Sequence, residues 1–231
     1  MRRVMLKLSG EALSGKNDFG FEYDYVDNIC KQIKKVKTKS VQIAIMPGGG
    51  NFIRGKTLLN IDKYKADEIG MLSTCMNAIY LQSVLKNNGL ESKIYGAYEI
   101  SDMVSVFNKY EAIDELNNGK IIIFATGTGH PYFTTDTGVV LRSIELECTE
   151  LLLAKSVDGV YDKDPRKYKD AKKYKKVSLK EVIDKKLLVI DMSASVLSLD
   201  NKLNLRLFSL DEKDSIIKSI KGDNIGTLVY S

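Results

Sequence analysis

The sequence predicts an α/β fold, a three-layer α/β/α sandwich around a mainly parallel central sheet. Short apolar runs rich in β-branched residues alternate along the chain with longer segments of helical periodicity. Short strands that are apolar apart from their first residue, such as residues 120–124, are typical of a sheet buried on both faces. Glycine-rich loops directly follow three of the strands, and parallel sheets bind ligands at these carboxyl ends. We expect one domain over residues 1–231.

Composition narrows the class of protein. The chain has 231 residues, 44% of them hydrophobic, and a formal net charge of +5. It can bury a full core, and its charge suits a small anionic ligand as well as nucleic acid. Three cysteines without close spacing and an N-terminus that begins a strand indicate a reducing cytoplasm. No apolar run approaches the roughly 20 residues of a membrane helix, so we expect no membrane contact.

The first strand, residues 4–8, carries a lysine near its end. Lys7 is out of place in an apolar strand unless it meets an anion, and the turn at Ser9 and Gly10 suits a polyphosphate. The alternative is an edge-strand lysine that reaches solvent. An amphipathic helix over 24–37 follows as scaffold.

The second strand, residues 41–46, runs into Gly48, Gly49 and Gly50. Glycines let a ligand lie directly on the backbone, and Arg54 is spaced to clamp a phosphate. The alternative is a flexible linker.

A long helix is predicted over 66–88, with Asp67 in its first turn and Gly89 as its stop. It is apolar on two sides, so it either packs between layers or meets a second copy of the protein. A strand over 92–97 and a short helix over 111–118 lead to the strand at 120–124.

The threonine loop, residues 125–136, joins that strand to a helix. Thr134, Thr135 and Asp136 offer oxygens that can cap this helix. Two glycines and four threonines present amides and hydroxyls as a phosphate cradle would, although a tight strand-to-helix turn is the alternative.

The C-terminal part continues the alternation. A strand over 151–154 leads to Lys155, Tyr161 and Asp164; the tyrosine could stack on a base and Asp164 could hold a ribose or a hydrated metal. An ordinary turn is the alternative. The lysine-rich segment 163–176 indicates a solvated loop, and nucleic-acid binding is not expected. Asp191 either caps a helix or points into the cleft. The closing elements are expected at 205–210, 212–220 and 226–230.

Other chemistries lack their residues. His130 is the single histidine, and no Cys and His cluster has zinc spacing. The groups that remain are the glycine loops, Lys7, Arg54 and several aspartates. Such groups orient phosphates and neutralise charge in phosphoryl transfer.

The motifs resemble those of the bacterial uridylate kinases, a family of the amino-acid-kinase superfamily. The resemblance covers essentially the whole chain, and it rests on residues 7–13, 48–55, 67–72, 125–136, 157–165 and 191–192. It implies transfer of the ATP γ-phosphate to UMP, giving UDP and ADP, with Mg²⁺ held through the ATP phosphates and not by a protein metal site. It also implies a homohexamer and GTP and UTP as effectors, with UMP bound mainly by the N-terminal part and ATP by the C-terminal part.

The resemblance also implies roles for individual residues. Those expected to act in catalysis are Lys7, Asp136 and Asp191. Those expected to bind ATP are Lys7, Leu8, Ser9, Gly10, Gly50, Arg54, Lys155, Tyr161 and Asp164. Those expected to bind UMP are Gly49, Asp67, Thr128, Gly129, His130, Pro131, Tyr132, Phe133, Thr134 and Thr135. The sequence departs from the family at His130, commonly asparagine, and at Lys155 and Ser156, which replace a threonine-containing pair.

Two other functions stay open at this stage. An isopentenyl phosphate or carbamate kinase of the same fold would keep Lys7 and the segment at Asp158 and Gly159, but it would not need the threonine loop. A catalytically silent nucleotide-binding regulator or storage protein is the alternative that is not an enzyme, and the retained Lys7, Arg54 and Asp191 argue against it.

Overall fold

The fold is known from a computed structural model that describes residues 1–53, 60–187 and 189–231. In these ranges the strands are β1 (Arg2–Leu8), β2 (Val41–Pro47), β3 (Ser92–Gly96), β4 (Ser105–Val106), β5 (Ile121–Phe124), β6 (Glu150–Lys155), β7 (Lys176–Ser178), β8 (Leu205–Ser209) and β9 (Thr227–Tyr230). The helices are α1 (Glu11–Ser14), α2 (Tyr23–Val36), α3 (Lys63–Asn87), α4 (Lys109–Asn117), α5 (Thr135–Glu145), α6 (Leu179–Asp184), α7 (Met192–Asp200) and α8 (Ser215–Lys221).

The strands form one sheet in the order β4-β3-β5-β2-β1-β6-β8-β9-β7. All neighbouring strands in it are parallel except β8 and β9, which run antiparallel. The α/β class and the mainly parallel sheet are therefore confirmed. Because β1, β2, β5 and β6 lie side by side and point the same way, the loops after them meet at one edge of the sheet.

The sheet separates two hydrophobic cores. Alternate residues of each central strand point to opposite faces, as Leu6 and Met5 do on β1. One face packs against α2, α3 and α8, and the other against α4, α5, α6 and α7. This arrangement is the predicted three-layer sandwich, with its central strands almost wholly buried.

Side-chain caps fix where most helices begin. The carboxylate of Asp62 accepts from Lys65 N at 3.1 Å, so α3 begins at Lys63 and not at residue 66. The sequence analysis had placed Asp67 in the first turn of this helix. With α3 beginning at Lys63, Asp67 lies beyond that turn. Helix α5 is capped by Thr134, as predicted.

The sequence did not predict several short elements. These are the single-turn helix α1 and the strands β4 and β7, with two to four residues each. Helix α8 begins at Ser215, three residues later than expected. In the described parts of the chain, no helix is long and apolar enough to cross a bilayer.

Candidate active site

A cluster of three charged side chains lies at the carboxyl edge of the sheet. Lys7, at the end of β1, forms an ion pair with Oδ1 of Asp136 in the first turn of α5. Lys155, at the end of β6, lies 3.6 Å from the other oxygen of the same carboxylate. The Lys155 ammonium also donates to the carbonyl of Val189. One carboxylate thus holds two ammonium groups in the middle of the loops that follow the central strands.

The electrostatics of the cluster favour the ionised form of Asp136. Burial raises the pKa of Asp136, but the ammonium groups of Lys7 and Lys155 outweigh this and hold the pKa below its ordinary value. Burial lowers the pKa of Lys155, against the opposing effect of Asp136. Asp136 is therefore an ionised anchor for two cations at neutral pH, and it carries no proton that it could donate.

The first two glycine loops are in backbone contact. A Cβ on Gly10 would lie 2.2 Å from the amide nitrogen of Gly50, and one on Gly49 would lie 2.9 Å from the carbonyl oxygen of Gly70. Gly48 N donates to Leu8 O at 2.8 Å and so ties the loops together. Glycine is needed here because several backbones approach without room for side chains. Ser9, at the start of the turn, lines a cavity of about 250 Å³ together with Lys155.

The threonine loop is tied to α7 by Asp191. This carboxylate caps α7 by accepting from Ala194 N at 2.9 Å. It also accepts from the hydroxyls of Thr134 and Thr137, which are on the neighbouring helix start. Of the two sequence alternatives for Asp191, the helix cap is confirmed, and its role in catalysis stays a prediction. Its contacts fix the position of α5, and therefore of Asp136.

Asp67 anchors the tip of the threonine loop. Its Oδ2 accepts from the amide of Tyr132 at 2.7 Å and lies 3.1 Å from the ammonium of Lys63. Tyr132 has a positive φ of 71°, a strained conformation for a tyrosine that this hydrogen bond stabilises. The loop and α3 together enclose a cavity of about 310 Å³. Its lining includes Gly49, Gly50, Asp67, Thr128, Tyr132, Phe133, Thr134 and Thr135.

The middle of the loop makes a local turn. The hydroxyl of Thr128 accepts from His130 N at 3.2 Å and donates to His130 O. Gly129 has a φ of 78°, and a Cβ there would lie 2.3 Å from that of Ala97. His130 is exposed and Pro131 is half-buried, and neither is among the residues that line the cavity. The structure therefore brings most of the predicted UMP residues together at this cavity, but Gly129, His130 and Pro131 are not part of its lining.

Thr74 and Thr126 were missed by the sequence analysis. Thr126 is fully buried and adopts a φ of 60°, which is unusual for a β-branched residue. Its amide donates to the hydroxyl of Thr74 on α3, and its own hydroxyl accepts from Ala97 N, both at 2.8 Å. These bonds hold the first bend of the threonine loop. The available signal was a set of small polar residues, Ser73, Thr74 and Asn77, within a mainly apolar helix.

Tyr161 and Asp164 line a different cavity, of about 410 Å³. The hydroxyl of Tyr161 donates to Asp158 at 2.8 Å, and Asp158 pairs with Lys173 at 2.9 Å. Asp164 pairs with the guanidinium of Arg166 at 3.1 Å. This second cavity thus has an aromatic ring and several charges at its wall. Arg54, expected to bind ATP, lies outside the described residues.

Comparison with known proteins finds a matching family and similar solved structures. The model of the amino acid kinase family matches residues 2–207. The chain is similar in structure to the UMP kinase from Bacillus anthracis, with a TM-score of 0.94, 33% identity, and coverage of 99% of this chain and 96% of that one. It is also similar to the UMP kinase from Ureaplasma parvum, with a TM-score of 0.93, 28% identity, and coverage of 100% and 99%.

A third solved structure extends the likeness of the fold. The uridylate kinase from Archaeoglobus fulgidus has a TM-score of 0.75 and 24% identity, and the alignment covers 99% of this chain and 100% of that one. At this identity the likeness concerns the fold alone. The family model, by contrast, spans all three loops and the charged cluster between them. The chain therefore belongs to the amino acid kinase family.

Proposed function

We propose that this protein is an ATP-dependent UMP kinase that transfers the γ-phosphate of ATP to UMP and gives UDP and ADP in pyrimidine nucleotide biosynthesis. The observation that carries the proposal is the pairing of Lys7 and Lys155 with one ionised carboxylate, Asp136, where the loops after the central strands converge. The likeness to two UMP kinases over almost the whole chain supports the choice of acceptor.

The cluster suits an in-line transfer between two phosphates. An oxygen of the UMP phosphate attacks the γ-phosphorus, and the bond to the bridging oxygen of ADP breaks. The acceptor oxygen is ionised near neutral pH, since a phosphate monoester has a second pKa near 6, so the chain need not supply a base. Lys7 faces the charge that develops on the transferred group, and Asp136 holds Lys7 in that position. Asp191 keeps α5, and with it Asp136, in place.

The cavity beside the threonine loop is our candidate for the UMP site. Gly49 would present its backbone to the phosphate, and Asp67 would fix the loop around the nucleoside through the Tyr132 amide. The remaining contacts would come from the loop itself. These residues are Thr128, Gly129, His130, Pro131, Tyr132, Phe133, Thr134 and Thr135.

ATP would lie on the other side of the cluster. Ser9, Gly10 and Gly50 would meet its phosphates, while Tyr161 and Asp164 would hold the nucleoside in the cavity of about 410 Å³. Lys155 would face the phosphates through the cavity that it shares with Ser9. Under this proposal residues 1–231 act as one domain, with UMP mainly on the N-terminal part and ATP mainly on the C-terminal part.

Mg²⁺ would enter with ATP. In the described ranges, no three His, Cys, Asp or Glu side chains are grouped as a metal site. The two carboxylates nearest the transfer, Asp136 and Asp191, are already engaged by ammonium groups and by hydroxyls with a helix amide. A metal carried by the phosphates themselves fits these residues, and it would neutralise charge on the transferred group.

We also propose that the protein is a homohexamer and that GTP and UTP act as effectors. Support for self-association comes from the outer face of α3, where Leu72, Met76 and Ile79 are 53%, 45% and 37% exposed. Apolar side chains grouped in this way usually mark an interface. The cytoplasmic location stays a prediction of the sequence.

A coupled assay for ADP release tests the function. The protein is incubated with ATP, Mg²⁺ and one of UMP, CMP, AMP, dTMP, isopentenyl phosphate or carbamate. We expect turnover with UMP to exceed that with every other acceptor. Preferred turnover of isopentenyl phosphate or carbamate would assign a different kinase of the same fold. Nucleotide binding without turnover of any acceptor would indicate a regulator or storage protein and not an enzyme.

A further inference from the structure

A ring of two buried amides lies behind the Gly48–Gly50 loop. Asn77, on the inner face of α3, and Asn51, at the end of the loop, are 0% and 1% exposed. Each amide donates to the oxygen of the other, at 2.7 and 2.9 Å. Asn77 Nδ2 also donates to Gly48 O, and Asn51 Nδ2 donates to Gly20 O at 2.9 Å.

The orientation of both amides follows from their partners. A backbone carbonyl only accepts hydrogen bonds, so the nitrogen of Asn77 must face Gly48 O and that of Asn51 must face Gly20 O. All four N–H bonds of the pair are then used, and each side-chain oxygen accepts one of them. Buried amides that are satisfied in this way hold one arrangement, because any other leaves a polar group unpaired.

The bond to Gly48 fixes the peptide that precedes the proposed phosphate contact. Gly48 N is held by Leu8 O on β1, and Gly48 O is held by Asn77 on α3. In a planar trans peptide, the carbonyl of one residue and the N–H of the next point in opposite directions. Holding Gly48 O towards the buried helix face therefore directs the N–H of Gly49 away from it. That amide belongs to a residue that lines the cavity of about 310 Å³.

We infer that Asn77 is a positioning residue that sets the direction of the Gly49 amide for the phosphate of the acceptor nucleotide. The inference rests on the proposed function for the identity of that nucleotide. Asn77 itself does not line the cavity, so it acts through the loop. Its chemistry is specific, since the position needs two donors and one acceptor of amide shape.

Two isosteric variants distinguish a positioning role of Asn77 from a general contribution to the stability of the protein. Asn77→Asp replaces two donors by an oxygen that faces Gly48 O and the amide oxygen of Asn51. Asn51→Asp likewise replaces two donors, but it leaves the bond between Asn77 and Gly48 intact. Both variants lose two buried hydrogen bonds, and they should lose similar thermal stability. If either fails to fold, Asn77→Ala and Asn51→Ala form the corresponding uncharged pair.

The test measures UMP dissociation constants by calorimetry and the exchange rate of the Gly48 amide by NMR. We expect Asn77→Asp to weaken UMP binding at least tenfold and to accelerate Gly48 exchange at least tenfold. Asn51→Asp should stay within about threefold of the unmodified protein in both. Equal losses in the two variants, in proportion to their stability, would overturn the inference, and so would unchanged UMP binding in Asn77→Asp.

The unmodified protein keeps the two proposals distinguishable. If it phosphorylates UMP and Asn77→Asp binds UMP normally, only the positioning role is wrong. If it neither binds nor phosphorylates UMP, the proposed function is wrong. The positioning role is then decided by Gly48 exchange, and equal exchange rates in Asn77→Asp and Asn51→Asp would end it.

Discussion

Replacing Asp136 by asparagine removes the negative charge that both Lys7 and Lys155 contact. The side chain keeps its shape, so the two ammonium groups remain near each other without a counter-ion. At an effective dielectric constant near 20, opposite unit charges about 4 Å apart attract by about 4 kcal/mol. The Lys155 pair spans 3.6 Å, and the Lys7 pair is closer. Removing one partner of a buried pair costs about 3–5 kcal/mol, and we expect a loss of that size in the free energy of unfolding at pH 7.

The pH dependence of this stability loss follows from the direction in which the pKa of Asp136 is shifted. The pKa of Asp136 in the folded protein is below its ordinary value of 3.8. A carboxylate of this kind contributes stability above pH 3.8, and that contribution is lost as the pH falls through the folded pKa. The difference between the two proteins should therefore be the same at pH 7 and pH 5. It should shrink only when the pH falls below 3.8.

Urea unfolding followed by circular dichroism measures this difference, since the chain has no tryptophan for fluorescence. Asp170→Asn is the matched control: Asp170 also pairs with a lysine, Lys163 at 2.6 Å, but its side chain is 78% exposed. The control should lose less than about 1 kcal/mol. A loss below about 1 kcal/mol for Asp136→Asn at pH 7, or one that disappears between pH 7 and pH 5, would refute the reasoning.

Three further outcomes follow from the same contacts. Lys7→Ala should lower kcat by about 10²- to 10³-fold while the KM for UMP stays within a few-fold, because the lysine acts on developing charge; steady-state kinetics would contradict this if only the KM rose. Asp67→Asn weakens the acceptor for the Tyr132 amide, so the KM for UMP should rise several-fold with little change in the KM for ATP; equal changes in both KM values would count against a UMP-side role. Light scattering should give a multiple of 25.9 kDa for the unmodified protein and a smaller assembly for Met76→Glu; a monomer mass for the unmodified protein would remove the proposed interface.

The sequence predicted the sheet well because its strands are buried on both faces. A run such as Ile121–Phe124 has no polar residue, and few structures other than a central strand accommodate it. The start of α5 was predicted from its capping residue, Thr134, but the Asp62 cap of α3 was not recognised. The starts of α3 and α8 were wrong by three residues each. Elements of two to four residues, such as β4, are too short for any periodicity to indicate.

The sequence predicted residues for the candidate site, but it did not predict the contacts that connect them. Lys7 and Asp136 are 129 positions apart, and no local pattern indicates that they form a pair. Asn77 lies in a helix whose apolar residues dominate the pattern, so its polar role is visible only when Gly48 is beside it. The φ of 60° at Thr126 is set by tertiary hydrogen bonds against the local preference of threonine. Long-range contacts of this kind can be identified only in the folded structure.

Competition between UMP and CMP is the most direct measurement of the proposed activity. Both nucleotides are supplied at equal concentration with ATP and Mg²⁺, and UDP and CDP are separated by chromatography early in the reaction. A site built for the uracil edge leaves a polar group unpaired with cytosine, which costs about 1–3 kcal/mol and corresponds to about 5- to 150-fold in rate. The proposal predicts UDP in excess by a factor in that range. Equal amounts of UDP and CDP would contradict it, as would the absence of both products.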